Sequence, residues 1–238
     1  MNKLEEIARM IDHSILHPTF TDDDLEKQCA IAMKYHVASV CVKPYAVAKA
    51  AALLKGSDVA VGCVIGFPHG NSHLNTKVFE TEQACNDGAV EIDMVVNIGK
   101  VLSGDWVYIE NEIKIITDTC HRNKALVKVI FETDFITREA DKIRLCEICT
   151  QTGVDFVKTS TGYGFVKQAS GDYNYHGATV SDIALMRKHS GPHVQVKAAG
   201  GVRTLDELLA VKAAGATRVG ATATESILGD AAKRLMGD

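Results

Sequence analysis

Two lysines stand where short apolar runs end, and that placement points to amine chemistry. Val154-Asp155-Phe156-Val157 leads into Lys158-Thr159-Ser160-Thr161-Gly162, and Val194-Gln195-Val196 leads into Lys197-Ala198-Ala199-Gly200-Gly201. An ammonium taken out of water must be paired or must lose its proton. A lysine at a buried strand end is therefore either held in an ion pair or is a nucleophile of depressed pKa. If the two strands are parallel neighbours, the two ammonium groups converge and each disfavours the other's charge, which makes an amine nucleophilic near neutral pH. A third such stretch is Ala89-Val90-Glu91-Ile92-Asp93-Met94-Val95-Val96, with two acids in an apolar run. The two-residue period of a strand puts Glu91 and Asp93 on one face, where satisfied carboxylates inside a barrel are the simplest reading.

These side chains need elements to position them, and the chain supplies an alternation of strand and helix patterns. Strands are expected at Met10–His13, Ala38–Val42, Val59–Ile65, Ala89–Val96, Leu126–Glu132, Val154–Lys158, Val194–Lys197 and Arg218–Gly220. Helices are expected at Leu4–Met10, Leu25–Tyr35, Ala46–Leu54, Thr76–Asp87, Ile109–His121, Arg138–Thr152, from Ala178 onward, from Thr204 onward and at Glu225–Met236, with Gly88 as one stop. Residues 163–176 read as a polar loop containing glycine and tyrosine. Eight strands alternating with helices over 238 residues fit one α/β domain, residues 1–238, folded as a (β/α)8 TIM barrel with a short extra N-terminal helix. The active rim is then expected at the C-terminal strand ends, where Asp12, Cys41, Asp93, Lys128, Lys158 and Lys197 fall.

Composition excludes several function classes. The formal charge is −4, from 30 acidic and 26 basic residues, and the basic residues are scattered rather than blocked. Nucleic acid and membrane surfaces are therefore not expected partners. The N-terminal Met1–Glu6 stretch is acidic and amphipathic, and no apolar run approaches the ~18 residues of a membrane span, so a cytoplasmic protein is expected. The seven cysteines are dispersed without a second C-x-x-C, which reads as reduced thiols, mostly core, rather than a zinc site.

Two small-residue turns point to an anion. Gly200-Gly201-Val202-Arg203 precedes Thr204-Leu205-Asp206-Glu207, which has capping-box form, and Gly220-Ala221-Thr222-Ala223-Thr224 leads into the last helix. These turns follow the seventh and eighth expected barrel strands, between which barrels commonly bind phosphate.

With these residues in view the chain resembles the deoxyribose-phosphate aldolase family almost from end to end. The resemblance is carried by Ile11-Asp12-His13-Ser14-Ile15-Leu16, Cys41-Val42-Lys43-Pro44, Ile65-Gly66-Phe67-Pro68, Glu91-Ile92-Asp93-Met94-Val95, Lys158-Thr159-Ser160-Thr161-Gly162 and Lys197-Ala198-Ala199-Gly200-Gly201-Val202-Arg203. It implies a Schiff base on Lys158, a proton relay through Lys197 and Asp93, and a pocket lined by Asp12, Cys41, Lys128, Thr159 and Thr161. It further implies phosphate held at Gly162, Gly200, Gly201 and Thr222. The implied reaction is reversible cleavage of 2-deoxyribose 5-phosphate to acetaldehyde and glyceraldehyde 3-phosphate, with no metal or other cofactor. A protonated imine is an electron sink, so the carbon–carbon bond can break to an enamine without a metal. The chain departs from the family in having Ala223 where a serine is usual, Tyr163 where some members carry lysine, and a longer segment at 165–175. An aldolase preferring a non-phosphorylated deoxysugar, a non-enzymatic sugar-phosphate-binding barrel, and a metal-dependent barrel enzyme using Asp12, His13, His17, His69 and His73 stay open, as does association into a homo-oligomer.

Overall fold

Runs such as Ala60–Ile65 and Glu91–Val95, buried on both faces, cannot face water on either side, and a parallel sheet covered by helices is the arrangement that satisfies them. The computed structural model describes residues 2–237. Its strands are β1 (Ile11–Ile15), β2 (Ser39–Val42), β3 (Ala60–Ile65), β4 (Glu91–Val95), β5 (Leu126–Ile130), β6 (Phe156–Lys158), β7 (Val166–Lys167), β8 (Tyr173–Asn174), β9 (Gln195–Ala199) and β10 (Arg218–Ala221). All but β7 and β8 join in a closed parallel barrel, in the order β1-β10-β9-β6-β5-β4-β3-β2. The helices are α1 (Lys3–Ala8), α2 (Asp22–Lys34), α3 (Val47–Leu53), α4 (Leu74–Asn86), α5 (Ile98–Leu102), α6 (Trp106–Arg122), α7 (Glu139–Thr152), α8 (Val180–His189), α9 (Leu205–Ala213) and α10 (Thr224–Met236). This is the expected TIM barrel, with α1 as the extra N-terminal helix packed against α10.

The strand period divides the barrel wall into two chemistries. Ile92, Met94, Val127, Val129, Val157, Val196, Ala198 and Val219 join the apolar core that also holds buried residues of the surrounding helices. Their alternates, Glu91, Asp93, Lys128, Lys158, Lys197 and Arg218, meet one another inside the barrel. Barrel interiors are usually filled by branched apolar side chains, so this charged interior marks where function has displaced packing.

Three local differences from the expected elements have physical causes. The strand expected over Leu126–Glu132 stops at Ile130, and Glu132 turns the chain with a φ of +61°. The expected loop 163–176 contains a hairpin of two-residue strands, β7 and β8, too short for any periodicity to reveal. The helix expected from Ile109 begins at Trp106 and is preceded by α5, because Asp105 and Asn97 cap the two starts. All seven cysteines are free, and six are buried. No helix among the described residues is long and apolar enough to cross a membrane.

Candidate active site

Parallel pairing of β6 with β9 sets Lys158 directly opposite Lys197, and pairing of β4 with β5 sets Asp93 opposite Lys128. The side chains then converge. Lys158 Nζ donates to Asp93 Oδ2 at 2.7 Å, and Lys197 Nζ donates to the same oxygen at 2.7 Å while lying 2.5 Å from Asp12 Oδ2. Lys128 lies beneath, 2.9 Å from Asp93, 3.1 Å from Asp12 and 2.5 Å from Glu91. Arg218 closes the set against Asp12 and Glu91.

Counting charges identifies the odd member. Three carboxylates (Asp12, Glu91, Asp93) face four bases (Lys128, Lys158, Lys197, Arg218), so the buried cluster is neutral when one base gives up its proton. Lys128 contacts three carboxylates, and Lys197 and Arg218 contact two each. Among the described residues Lys158 contacts Asp93 alone. Burial and the neighbouring Lys197 ammonium accordingly push the Lys158 amine below the usual lysine range, against the pull of Asp93. Lys197 is as deeply buried, but Asp12 and Asp93 outweigh that desolvation and hold its amine above the usual range. Desolvation of Asp12 and Asp93 is likewise outweighed by the surrounding cations, which keep both carboxyls well below the usual range. The site therefore places the amine that gives up its proton most readily beside an ammonium and two carboxylates, in the low-dielectric setting where proton transfer between fixed partners is effective.

Above this cluster opens a cavity of about 750 Å3, reached by Lys158 and Lys197 and lined also by Asp12, Cys41, Thr161, Gly162, Gly200, Gly201 and Thr222. Burial pushes the Cys41 thiol up to about 11, so it lines the wall as a neutral group. Two of the expected wall residues do not reach the cavity. Lys128 is sealed under Asp12 and Asp93, so its part is to hold those carboxylates. Thr159 follows Lys158 and, by the strand period, points the other way; its Oγ1 donates to the Ala199 carbonyl and accepts from the Ala199 N–H, both at 3.0 Å. That bond pair ties the ends of β6 and β9 together. Asp93 also lies below the floor and meets the cavity only through the two lysines that it bonds. Thr161 lines the cavity, but its hydroxyl donates to Glu132 and accepts from the Tyr163 N–H.

The two turns expected to hold an anion differ. At α9 the N–H groups of Arg203 and Thr204 donate to Glu207 at 2.7 and 2.9 Å, so that entrance is satisfied by its own capping box. The α10 entrance has no side-chain cap at Ala223, and Thr222 Oγ1 donates to the Ser14 carbonyl at 3.3 Å. Thirteen residues of helix thus present an open N-terminus to the cavity. Gly200 sits at φ +84° against Gly177, where a Cβ would come within 3.1 Å of the Gly177 Cα.

Sequence reasoning missed Arg218 and Glu132. Arg218 opens a four-residue strand, and only its alternation with Val219, which packs outward, signals that it points inward. Glu132 ends the expected strand Leu126–Glu132, but the turn at φ +61° sends its carboxylate to Thr161. Three of the four histidines weighed as metal ligands are engaged elsewhere: His13 with Thr224 and Gln28, His17 with Thr19, and His73 at the α4 N-cap. Among the described residues no three His, Cys, Asp or Glu side chains gather as a metal site.

This barrel and its lysine cluster agree with comparisons to known proteins. A family model described as DeoC/LacD family aldolase matches residues 7–233. The deoxyribose-phosphate aldolase of Rhodopirellula baltica is 51% identical over 230 residues, covering 97% of this chain and 91% of the relative. Deoxyribose-phosphate aldolase 1 of Bacillus licheniformis is 49% identical over 224 residues, covering 94% and 95% of the two chains. Among solved structures, the tetrameric deoxyribose phosphate aldolase of Aeropyrum pernix superposes with a TM-score of 0.86 at 26% identity, covering 99% of this chain and 94% of that one. With a family model spanning nearly the whole chain and relatives near half identity, this chain belongs to the DeoC/LacD family of aldolases.

Proposed function

We propose that the chain is a class I aldolase that reversibly cleaves 2-deoxy-D-ribose 5-phosphate to acetaldehyde and D-glyceraldehyde 3-phosphate through a Schiff base on Lys158. The observation that carries this assignment is the charge imbalance of the buried cluster, in which Lys158 has the fewest carboxylate partners and opens onto the cavity. Its neutral amine adds to the C1 aldehyde of the open-chain sugar, and loss of water leaves a protonated imine. Removal of the C3 hydroxyl proton lets the C2–C3 bond break: C3 becomes the aldehyde of the three-carbon product, and the electron pair moves into an enamine. Protonation at C2 and addition of water then release acetaldehyde and return the amine. Lys197 and Asp93 carry the protons for these steps, Asp93 accepting hydrogen bonds from both Lys197 and Lys158. Asp12 and Lys128 keep the relay in its charge state.

Borohydride reduction in the presence of acetaldehyde tests the reading. The expected outcome is a two-carbon adduct on Lys158 in peptide mapping; an adduct on another lysine, or turnover lost to chelators without any adduct, overturns it. Self-association belongs to the same proposal, supported by the relative described as tetrameric, and sedimentation measures it.

A further inference from the structure

The hairpin between β6 and α8 is stapled at its returning end, and that staple fixes one side chain over the cavity. Asp134 accepts the N–H groups of His176 at 2.6 Å and Gly177 at 2.9 Å, and the Ala178 N–H donates to the Gly200 carbonyl at 2.9 Å. Tyr175, one residue before these anchors, is therefore held beside the Gly200–Gly201 turn. Its ring meets Phe165 edge-on, with centroids 5.5 Å apart, and its oxygen accepts from Arg203 Nη2 at 3.2 Å.

The donors at this mouth are unbalanced. Having accepted from Arg203, the Tyr175 hydroxyl still has its own proton to give, and no protein acceptor for it is present among the described residues. Arg203 also lines the cavity and makes no ion pair among the described residues, unlike Lys158, Lys197 and Asp12 on the floor. Opposite lies the uncapped N-terminus of α10. A free phenol proton, an uncompensated guanidinium and an open helix N-terminus, all facing one cavity, call for an anion with several acceptor oxygens.

We propose that Tyr175 is a specificity-determining residue: with the Arg203 guanidinium that it holds, it forms the outer jaw of a subsite for a phosphate monoester, whose inner side is the Gly200–Gly201 turn and the α10 entrance. The inference rests on the proposed aldolase reading for the identity of the sugar, but not for the presence of the anion site. The hairpin supplies a contact that no barrel strand provides, because it carries the Tyr175 hydroxyl back over the mouth.

The test compares wild type with Y175F, R203A, the double variant, and Y173F as a control on the exposed outer part of the same hairpin. Loss of one hydrogen bond to a charged group is expected to lower the ratio of kcat/KM for deoxyribose 5-phosphate over free deoxyribose about tenfold in Y175F, mostly through KM. Y173F is expected to keep the wild-type ratio. Because Tyr175 acts partly through Arg203, Y175F is expected to cost less in the R203A background than alone. Inorganic phosphate binding, read by calorimetry without turnover, should weaken about tenfold in Y175F. An unchanged phosphate affinity in Y175F, or an unchanged ratio in an enzyme that does prefer the phosphorylated sugar, overturns the proposal. Absence of a Lys158 adduct and of sugar cleavage in wild type, with phosphate binding still lowered in Y175F, would instead leave the anion site standing and remove the aldolase reading.

Discussion

At the scale of single residues the cluster works because its charges do not cancel until one lysine is neutral. Lys197→Leu removes the neighbouring ammonium and leaves Asp93 to Lys158 and Lys128. Both changes favour the protonated form of Lys158, so the acid limb of imine formation is expected to move to higher pH, and turnover at neutral pH to fall by far more than tenfold. Borohydride trapping of acetaldehyde across a pH series measures the first effect, and steady-state kinetics the second. Retention of more than about a tenth of activity, a cost of about 1.4 kcal/mol or less, is incompatible with the relay role. Asp93→Asn is expected to lose much of the activity as well, since the shared carboxylate oxygen is the bridge between the two lysines.

At the scale of elements, strand ends decide what can be reached. The exit of β5 carries Glu132, buried, with Oε2 accepting from the N–H and hydroxyl of Thr161 while Oε1 has no partner. Burial pushes its carboxyl up to about 7 from an ordinary 4.5, with Asp134 adding to the rise and Thr161 and Lys158 opposing it. A native pKa above the unfolded one means that between about pH 4.5 and 7 the unfolded chain ionises while the native one does not, so this group's contribution to stability falls as pH rises through that window. Glu132→Gln removes the titration. Denaturant melts at pH 5 and pH 7.5 are expected to show wild type losing up to about 3 kcal/mol relative to the variant, and equal slopes would sink the assignment. At α10 the missing cap offers a converse change. Ala223→Ser is expected to add about 1 kcal/mol, a Tm rise of roughly 2–4 °C, and to widen the preference for the phosphorylated sugar. An unchanged preference would mean that Tyr175 and Arg203 already meet the phosphate.

Legibility in the sequence also followed the element. The strands that carry Lys158 and Lys197 ended visibly, at a charge after β-branched residues, and the barrel's alternation set the two lysines on neighbouring strands. Thr159, a wall residue by what the resemblance implies, turns away from the cavity because the strand period sends consecutive residues to opposite faces. Lys128 falls in the middle of its strand rather than at the end, so depth along the barrel, which no single strand pattern reports, takes it out of the cavity. The hairpin bearing Tyr175 left no signal, since strands of two residues have no period and their position over the mouth depends on Asp134, far away in sequence.

At the scale of the whole molecule the barrel has an ionic filling where most barrels are oily, and the filling is a stability element as much as a catalytic one. Lys128 alone reaches Asp12, Glu91 and Asp93, which sit on two strands of the wall, while Lys128 itself stands on a third. Its desolvation is outweighed by those three carboxylates, which hold its amine well above the usual range. Lys128→Met keeps the length and apolar stem but takes from Asp12, Glu91 and Asp93 the one cation that touches all three, and breaking a buried pair from one side costs about 3–5 kcal/mol. For a chain of this size that corresponds to a Tm fall of roughly 6–20 °C. The acid limb gives a sharper sign. Asp12 and Asp93 are held well below the usual carboxylate range, so their contribution to stability is present above the unfolded value of 3.8 and is lost only as pH falls below it toward the native values. Removing Lys128 raises those native values, and the acid-unfolding midpoint, followed by circular dichroism, is expected to move upward from below pH 3.8. A variant with lowered Tm but an unmoved acid midpoint would mean that Lys128 supports the barrel by packing, with Lys197 and Arg218 alone holding the carboxylates ionised.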